Sequence, residues 1–112
     1  MNRKYPLGEK VKVTVDRPLG SCHPNHPELV YKLNYGYIEG IIAPDGEEQD
    51  CYIIGVREPV QSFDGEIIAV IHRINDVEDK WVAAPEGEVF FKEEIEKQTD
   101  FQEKFFETEI II

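Results

Sequence analysis

Four carboxylates crowd six residues at Asp45-Gly46-Glu47-Glu48-Gln49-Asp50. Like charges this close repel one another unless water solvates them or a cation sits among them. Oxygen donors at such density suit a hard cation, Mg²⁺ before Ca²⁺ or Mn²⁺. The spacing is not that of an EF-hand loop. On composition alone an exposed acidic turn is the plainer reading. A second acidic group, Asp76-Val77-Glu78-Asp79, runs directly into Lys80, and its plainer reading is again a polar turn. Two acidic turns beside strand ends can meet at one end of a barrel and share metals, but the chain order does not by itself bring them together.

Other chemistries are weaker. Cys22, His23 and His26 suggest a soft-metal cluster, yet a zinc site normally takes four ligands at paired spacing. Pro24 and Pro27 also break any helix that would aim these three together. A loop is the better reading, and nothing local organises Cys22 as a nucleophile with a histidine base. No glycine-rich phosphate loop, dinucleotide fingerprint or nucleophile elbow occurs. Two cysteines, Cys22 and Cys51, exclude a disulfide framework and leave one bridge open. Isolated thiols fit a reducing cytoplasm better. Tyr31, Tyr35 and Tyr37 resemble a stacking set, but the net charge of −11 opposes a nucleic-acid partner. A small anion remains compatible with that charge when divalent cations accompany it.

The elements that must position these residues read as short strands and one helix. Lysine or threonine alternates with Val11, Val13 and Val15 between Lys10 and Val15, which predicts a half-buried strand. Three prolines in Pro18 to Pro27 predict a loop. Tyr37 to Ile42 and Cys51 to Val56 are expected strands around a Pro44-Asp45-Gly46 turn. Ser62 to Gly65 reads as a second turn, Glu66 to Ile74 as the longest strand, and Trp81 to Ala84 as a short one closed by Pro85. Phe91, Ile95, Phe101 and Phe105 then fall near helical spacing among helix formers between Lys92 and Phe106. Nine acids from Glu86 onward face only Lys92, Lys97 and Lys104, the pattern of a solvated helix face. Mainly β with a C-terminal helix, a small curled sheet or barrel, is the expected fold.

The 112 residues are 41% hydrophobic and 31% charged, which fits a single domain with a packed core. Basic residues gather at the start, where Arg3, Lys4, Lys10, Lys12 and Arg17 outnumber Glu9 and Asp16. No apolar stretch of signal-peptide length comes after them. Runs such as Ile67 to Ile71 fall far short of the roughly 20 residues that span a bilayer. The expectation is a cytoplasmic protein with no membrane partner. The Phe-rich helix surface and the Ile110-Ile111-Ile112 end leave room for a homo-oligomer.

Four blocks, in order, resemble the soluble family I inorganic pyrophosphatases. They are Val15-Asp16-Arg17, Tyr31-Lys32-Leu33-Asn34-Tyr35-Gly36-Tyr37-Ile38, Asp45 to Asp50, and Lys80-Trp81-Val82-Ala83-Ala84-Pro85. The resemblance runs from about Val13 to Phe106. It implies a five-stranded barrel of the OB type and Mg²⁺-dependent hydrolysis of pyrophosphate to two phosphates, an inorganic diphosphatase reaction. By position, Asp45, Asp50 and Glu78 resemble metal ligands, and Glu47 stands where an aspartate helps to activate the attacking water. Arg17, Tyr35 and Lys80 match groups that hold phosphate oxygens of a small phosphate-containing substrate.

The departures from that pattern are concrete. Glu47 and Glu78 each replace an aspartate, and Glu48 replaces a proline. Another of the family's acids falls on Arg73 in an ungapped alignment, with Asp76 as a stand-in only if the loop is remodelled. Phe105-Phe106 takes the place of a Tyr-Lys pair. The chain thus admits two readings, a divergent pyrophosphatase-like enzyme and a non-catalytic metal- or phosphate-binding module that keeps the barrel.

Overall fold

Alternation along the strands sorts side chains to two faces of a sheet that closes on itself. The computed structural model describes residues 5–76 and 78–112. Its strands are β1 (Lys10–Arg17), β2 (Cys22–His23), β3 (His26–Val30), β4 (Asn34–Ile42), β5 (Glu48–Ile53), β6 (Ser62–Arg73) and β7 (Asp79–Ala84). Helix α1 (Lys92–Glu103) comes next, and β8 (Thr108–Ile111) ends the fold. The main sheet runs β1-β4-β5-β7-β6, and β1 pairs with β6 as well, which closes a five-stranded barrel. β8 extends it beyond β6. Only β5 and β7 run parallel among these pairs.

Closure leaves two cores. Val13, Ile38, Cys51, Ile53, Ile67 and Ala83 form one. Tyr35, Tyr52, Ile54, Ala69, Ile71, Val82 and Ala84 pack with Ile95 and Phe101 of α1 in the other. The period of two explains the split: Cys51 and Ile53 face one way, while Asp50 and Tyr52 face α1. An extra residue in β6 between the Ile67↔Ala83 and Ala69↔Val82 pairs resets its alternation. Ala69 and Ile71 then turn toward α1, and Arg73 joins them by the same period.

Gly36 carries the closest strand approach. A methyl group there would lie 1.9 Å from the Thr14 carbonyl oxygen and 2.8 Å from the Val15 Cα. Both are backbone atoms, so β1 and β4 would have to part where Val15 pairs with Gly36. Gly36→Ala is expected to cost about 2–3 kcal/mol, in the range of overpacked cores. The midpoint of urea unfolding measures it.

The sequence expectations hold for fold class and for one C-terminal helix, with corrections of detail. Pro18 to Pro27 is not all loop, since β2 and β3 form a two-stranded hairpin across Pro24-Asn25. Pro27 is tolerated there because a two-stranded sheet is all edge. Ser62 to Gly65 belongs to β6 and pairs with β1. α1 stops at Glu103, so Phe91 caps its start and Phe105 lies beyond its end, both exposed. Of the isoleucines at the end, Ile110 is buried and pairs opposite Ile71, while Ile112 is exposed. Cys22 and Cys51 are both free thiols, one exposed and one buried. No helix among the described residues is long and apolar enough to cross a membrane. Arg3, Lys4 and Val77 lie outside the described residues.

Candidate functional site

A cleft of about 770 Å³ opens on the α1 side of the sheet. Each wall has a local cause. In β1 the ladder passes from Val15↔Gly36 to Arg17↔Tyr35, leaving Asp16 as an extra residue. Such a bulge re-aims the next side chain, here Arg17, whose Nη1 donates to the Tyr31 hydroxyl at 3.0 Å. The parallel pairing Cys51↔Trp81 sets Asp50 level with Lys80. Glu78 precedes β7, so its carboxylate reaches the same ammonium. Lys80 Nζ donates to Asp50 Oδ2 at 2.5 Å and to Glu78 Oε1 at 2.6 Å.

A polar network runs beneath this triad. Tyr31 donates to Gln102 Oε1 at 2.6 Å, Gln102 Nε2 donates to the Tyr52 hydroxyl at 2.6 Å, and Tyr52 donates to Glu103 Oε2 at 2.6 Å. Arg73 clasps the same carboxylate with Nε at 3.0 Å and Nη2 at 2.8 Å. Its Nη1 lies 3.9 Å from Glu78 Oε1, which joins the network to Lys80. Arg73 and Glu103 are only 6% and 5% exposed. Bidentate guanidinium–carboxylate geometry is what makes such burial sustainable. Among the described residues no buried side-chain nitrogen or oxygen lacks a partner.

The electrostatics favour an anion. Arg17, Arg73, Lys80 and Lys104 line the cleft against Glu28, Asp50 and Glu78, in a chain of net charge −11. Lys80 is paired with Asp50 and Glu78, and Arg73 with Glu103. Arg17, held by the neutral Tyr31 hydroxyl, is therefore the cleft cation best placed to meet an anion. Burial pushes the Tyr35 hydroxyl well above the ordinary tyrosine range, and the Asp50 charge adds to the shift. That phenol stays protonated at neutral pH and remains a hydrogen-bond donor. Burial pulls the Arg73 guanidinium down, but the bond and charge of Glu103 more than offset it.

Of the residues singled out from sequence, Arg17, Tyr35, Asp50, Glu78 and Lys80 meet in this cleft. Asp45 and Glu47 do not line it. They are exposed in the β4–β5 turn, where Asp45 Oδ1 accepts the Glu47 backbone N–H at 3.0 Å. The two acidic turns therefore converge only through Asp50, which is a strand residue. Asp76 lies outside the lining, while Arg73 is inside it. His23 and His26 also line the cleft, with ring centroids 5.0 Å apart. Among the described residues no three His, Cys, Asp or Glu side chains stand together as a metal-holding group.

The donor set fits Mg²⁺ in one manner only. Mg²⁺ commonly keeps its waters and binds through one or two carboxylates plus substrate phosphates. Asp50 and Glu78 supply such a pair, both at present satisfied by Lys80. A protein cage of three or more carboxylates has no counterpart among the described residues. Sequence reasoning missed Tyr52, Gln102 and Glu103 altogether. No local pattern marks them, since Tyr52 reads as an ordinary strand residue and Gln102 and Glu103 as ordinary helix formers.

No protein-family model matches the chain. A 60-residue stretch, 51% of the chain, is 32% identical to soluble inorganic pyrophosphatase 2 of Chlamydomonas reinhardtii. That match spans 31% of the relative's length. Over nearly the whole chain the fold superposes on solved pyrophosphatases. The inorganic pyrophosphatase of Ehrlichia chaffeensis gives a TM-score of 0.71 at 17% identity, covering 97% of this chain and 92% of that one. That of Neisseria gonorrhoeae gives 0.65 at 18%, covering 84% and 72%. That of Thermus thermophilus gives 0.60 at 16%, covering 99% and 84%. The chain has the fold of the inorganic pyrophosphatases and resembles a soluble member of them in sequence.

Proposed function

We propose that the cleft binds inorganic pyrophosphate and that the chain hydrolyses it to two phosphates. One observation carries this reading: Arg17, Tyr35, Asp50, Glu78 and Lys80 converge in one cleft of a pyrophosphatase fold. Arg17 presents a planar guanidinium that matches two phosphate oxygens. The protonated Tyr35 hydroxyl donates to another oxygen. Lys80, only 4% exposed, places an ammonium where charge grows on the departing phosphate. The cleft carboxylates able to take the proton of an attacking water are Asp50 and Glu78, rather than Glu47. Asp50 and Glu78 would also hold Mg²⁺ delivered with the substrate. Bound there, the ion would neutralise phosphoryl charge and acidify water.

A second reading, a binding module without turnover, draws on the occupation of both carboxylates by Lys80. Phosphate release from pyrophosphate separates the two. The expected result is release that needs Mg²⁺, stops on chelation, and falls by about a hundredfold in Asp50→Asn, the scale of one misplaced catalytic group. Binding of pyrophosphate without release would establish the module instead.

A further inference from the structure

Phe105 and Phe106 line the same cleft as Arg17 and Lys80, yet they are 67% and 41% exposed. Helix α1 ends at Glu103, and the Phe106 N–H is tied to the Glu103 carbonyl at 2.9 Å. The Arg73 guanidinium carbon sits 3.6 Å over the Phe106 ring, a contact that pins this ring against the buried network. Lys104 Nζ lies 5.5 Å over the Phe105 ring. Phe106 is thus held beside the cationic floor, and the more exposed Phe105 extends the aromatic wall of the cleft. Inorganic pyrophosphate presents only oxygens and gains nothing from such a wall. A volume of about 770 Å³ lies in the range that encloses organic ligands, well above the need of a bare diphosphate.

We propose that the preferred ligand is an organic phosphoanhydride bearing a flat aromatic group, of the nucleoside diphosphate class. Its phosphates lie on Arg17 and Lys80, and its ring stacks on the Phe105-Phe106 wall. This rests on the reading of the cleft as a phosphate site. Lys104, beside Phe105, adds a cation near the junction of ring and phosphate.

Titration calorimetry of the full chain with ADP and with pyrophosphate, both in Mg²⁺, tests it. ADP is expected to bind about tenfold more tightly or better, the scale of one aromatic stack. Phe105→Ala should lower the ratio of ADP to pyrophosphate affinity about tenfold, and Phe105→Trp should restore it. Arg17→Ala should weaken both ligands. ADP binding no more tightly than pyrophosphate, or a ratio untouched in Phe105→Ala, overturns the proposal and leaves the phosphate site standing. If neither ligand binds to folded protein, the proposal and the phosphate-site reading fail together.

Discussion

Glu103→Ala is expected to remove about 3–5 kcal/mol of stability, the cost of stripping the partner from a buried charge. Arg73 is 6% exposed and directs two of its nitrogens to Glu103. The Tyr52 hydroxyl, wholly buried, uses the same carboxylate as its acceptor. Alanine strands both donors at once. Whole domains are stable by only about 5–15 kcal/mol, so one side chain at the end of α1 holds a large share. Urea unfolding measures the loss. Glu103→Gln keeps an acceptor oxygen but leaves the Arg73 charge unpaired, so it should recover only part of the loss. The double change Arg73→Met with Glu103→Leu removes both charges and should be less destabilising than Glu103→Ala alone. A loss below about 1 kcal/mol in Glu103→Ala would show that the pair behaves as an exposed one.

The strongest effect on folding thus comes from a residue that sequence reading placed on a solvated helix face. Eight of the nine acids from Glu86 onward are indeed not buried, and Glu103 is the exception. Nothing local separates it from Glu93 or Glu96. Its burial comes from docking of the last helical turn against β5 and β6, which chain order does not display. Strand residues were more legible. Lysine or threonine alternates with valine around Val13, and Cys51 to Ile54 and Ile67 to Ile71 are short apolar runs of mostly β formers, patterns that the local sequence itself displays. β8 escaped notice because four residues after a helix offer too little alternation to read.

The same contrast divides the site. Arg17, Tyr35, Asp50, Glu78 and Lys80, singled out by the resemblance, meet in one cleft because they sit in or beside paired strands, where register carries spacing into three dimensions. Asp45 and Glu47 belong to a turn, where neighbours in sequence need not share a face. Gly46 turns there through φ +88°, a conformation that L side chains rarely adopt. The densest acidic run in the chain therefore contributes one residue, Asp50, to the cleft.

Lys80→Met should give opposite changes in two measurements. Phosphate release is expected to fall by about a hundred- to a thousandfold, the loss when one preorganised donor to a developing oxyanion is removed. Mg²⁺ affinity is expected to rise, by about tenfold. Asp50 and Glu78 both spend an oxygen on the Lys80 ammonium. Without it, two carboxylates face each other with no cation between them, and like charges at that range favour uptake of one. Calorimetry with Mg²⁺ alone reads the second change, and phosphate release from pyrophosphate reads the first. A purely structural lysine would lower both through loss of folded protein, which circular dichroism would register. Unchanged Mg²⁺ affinity in a folded variant would mean that Asp50 and Glu78 are not the metal-facing pair. The positive charge of the cleft would then serve the phosphate alone, and the Mg²⁺ that turnover requires would be held by other groups.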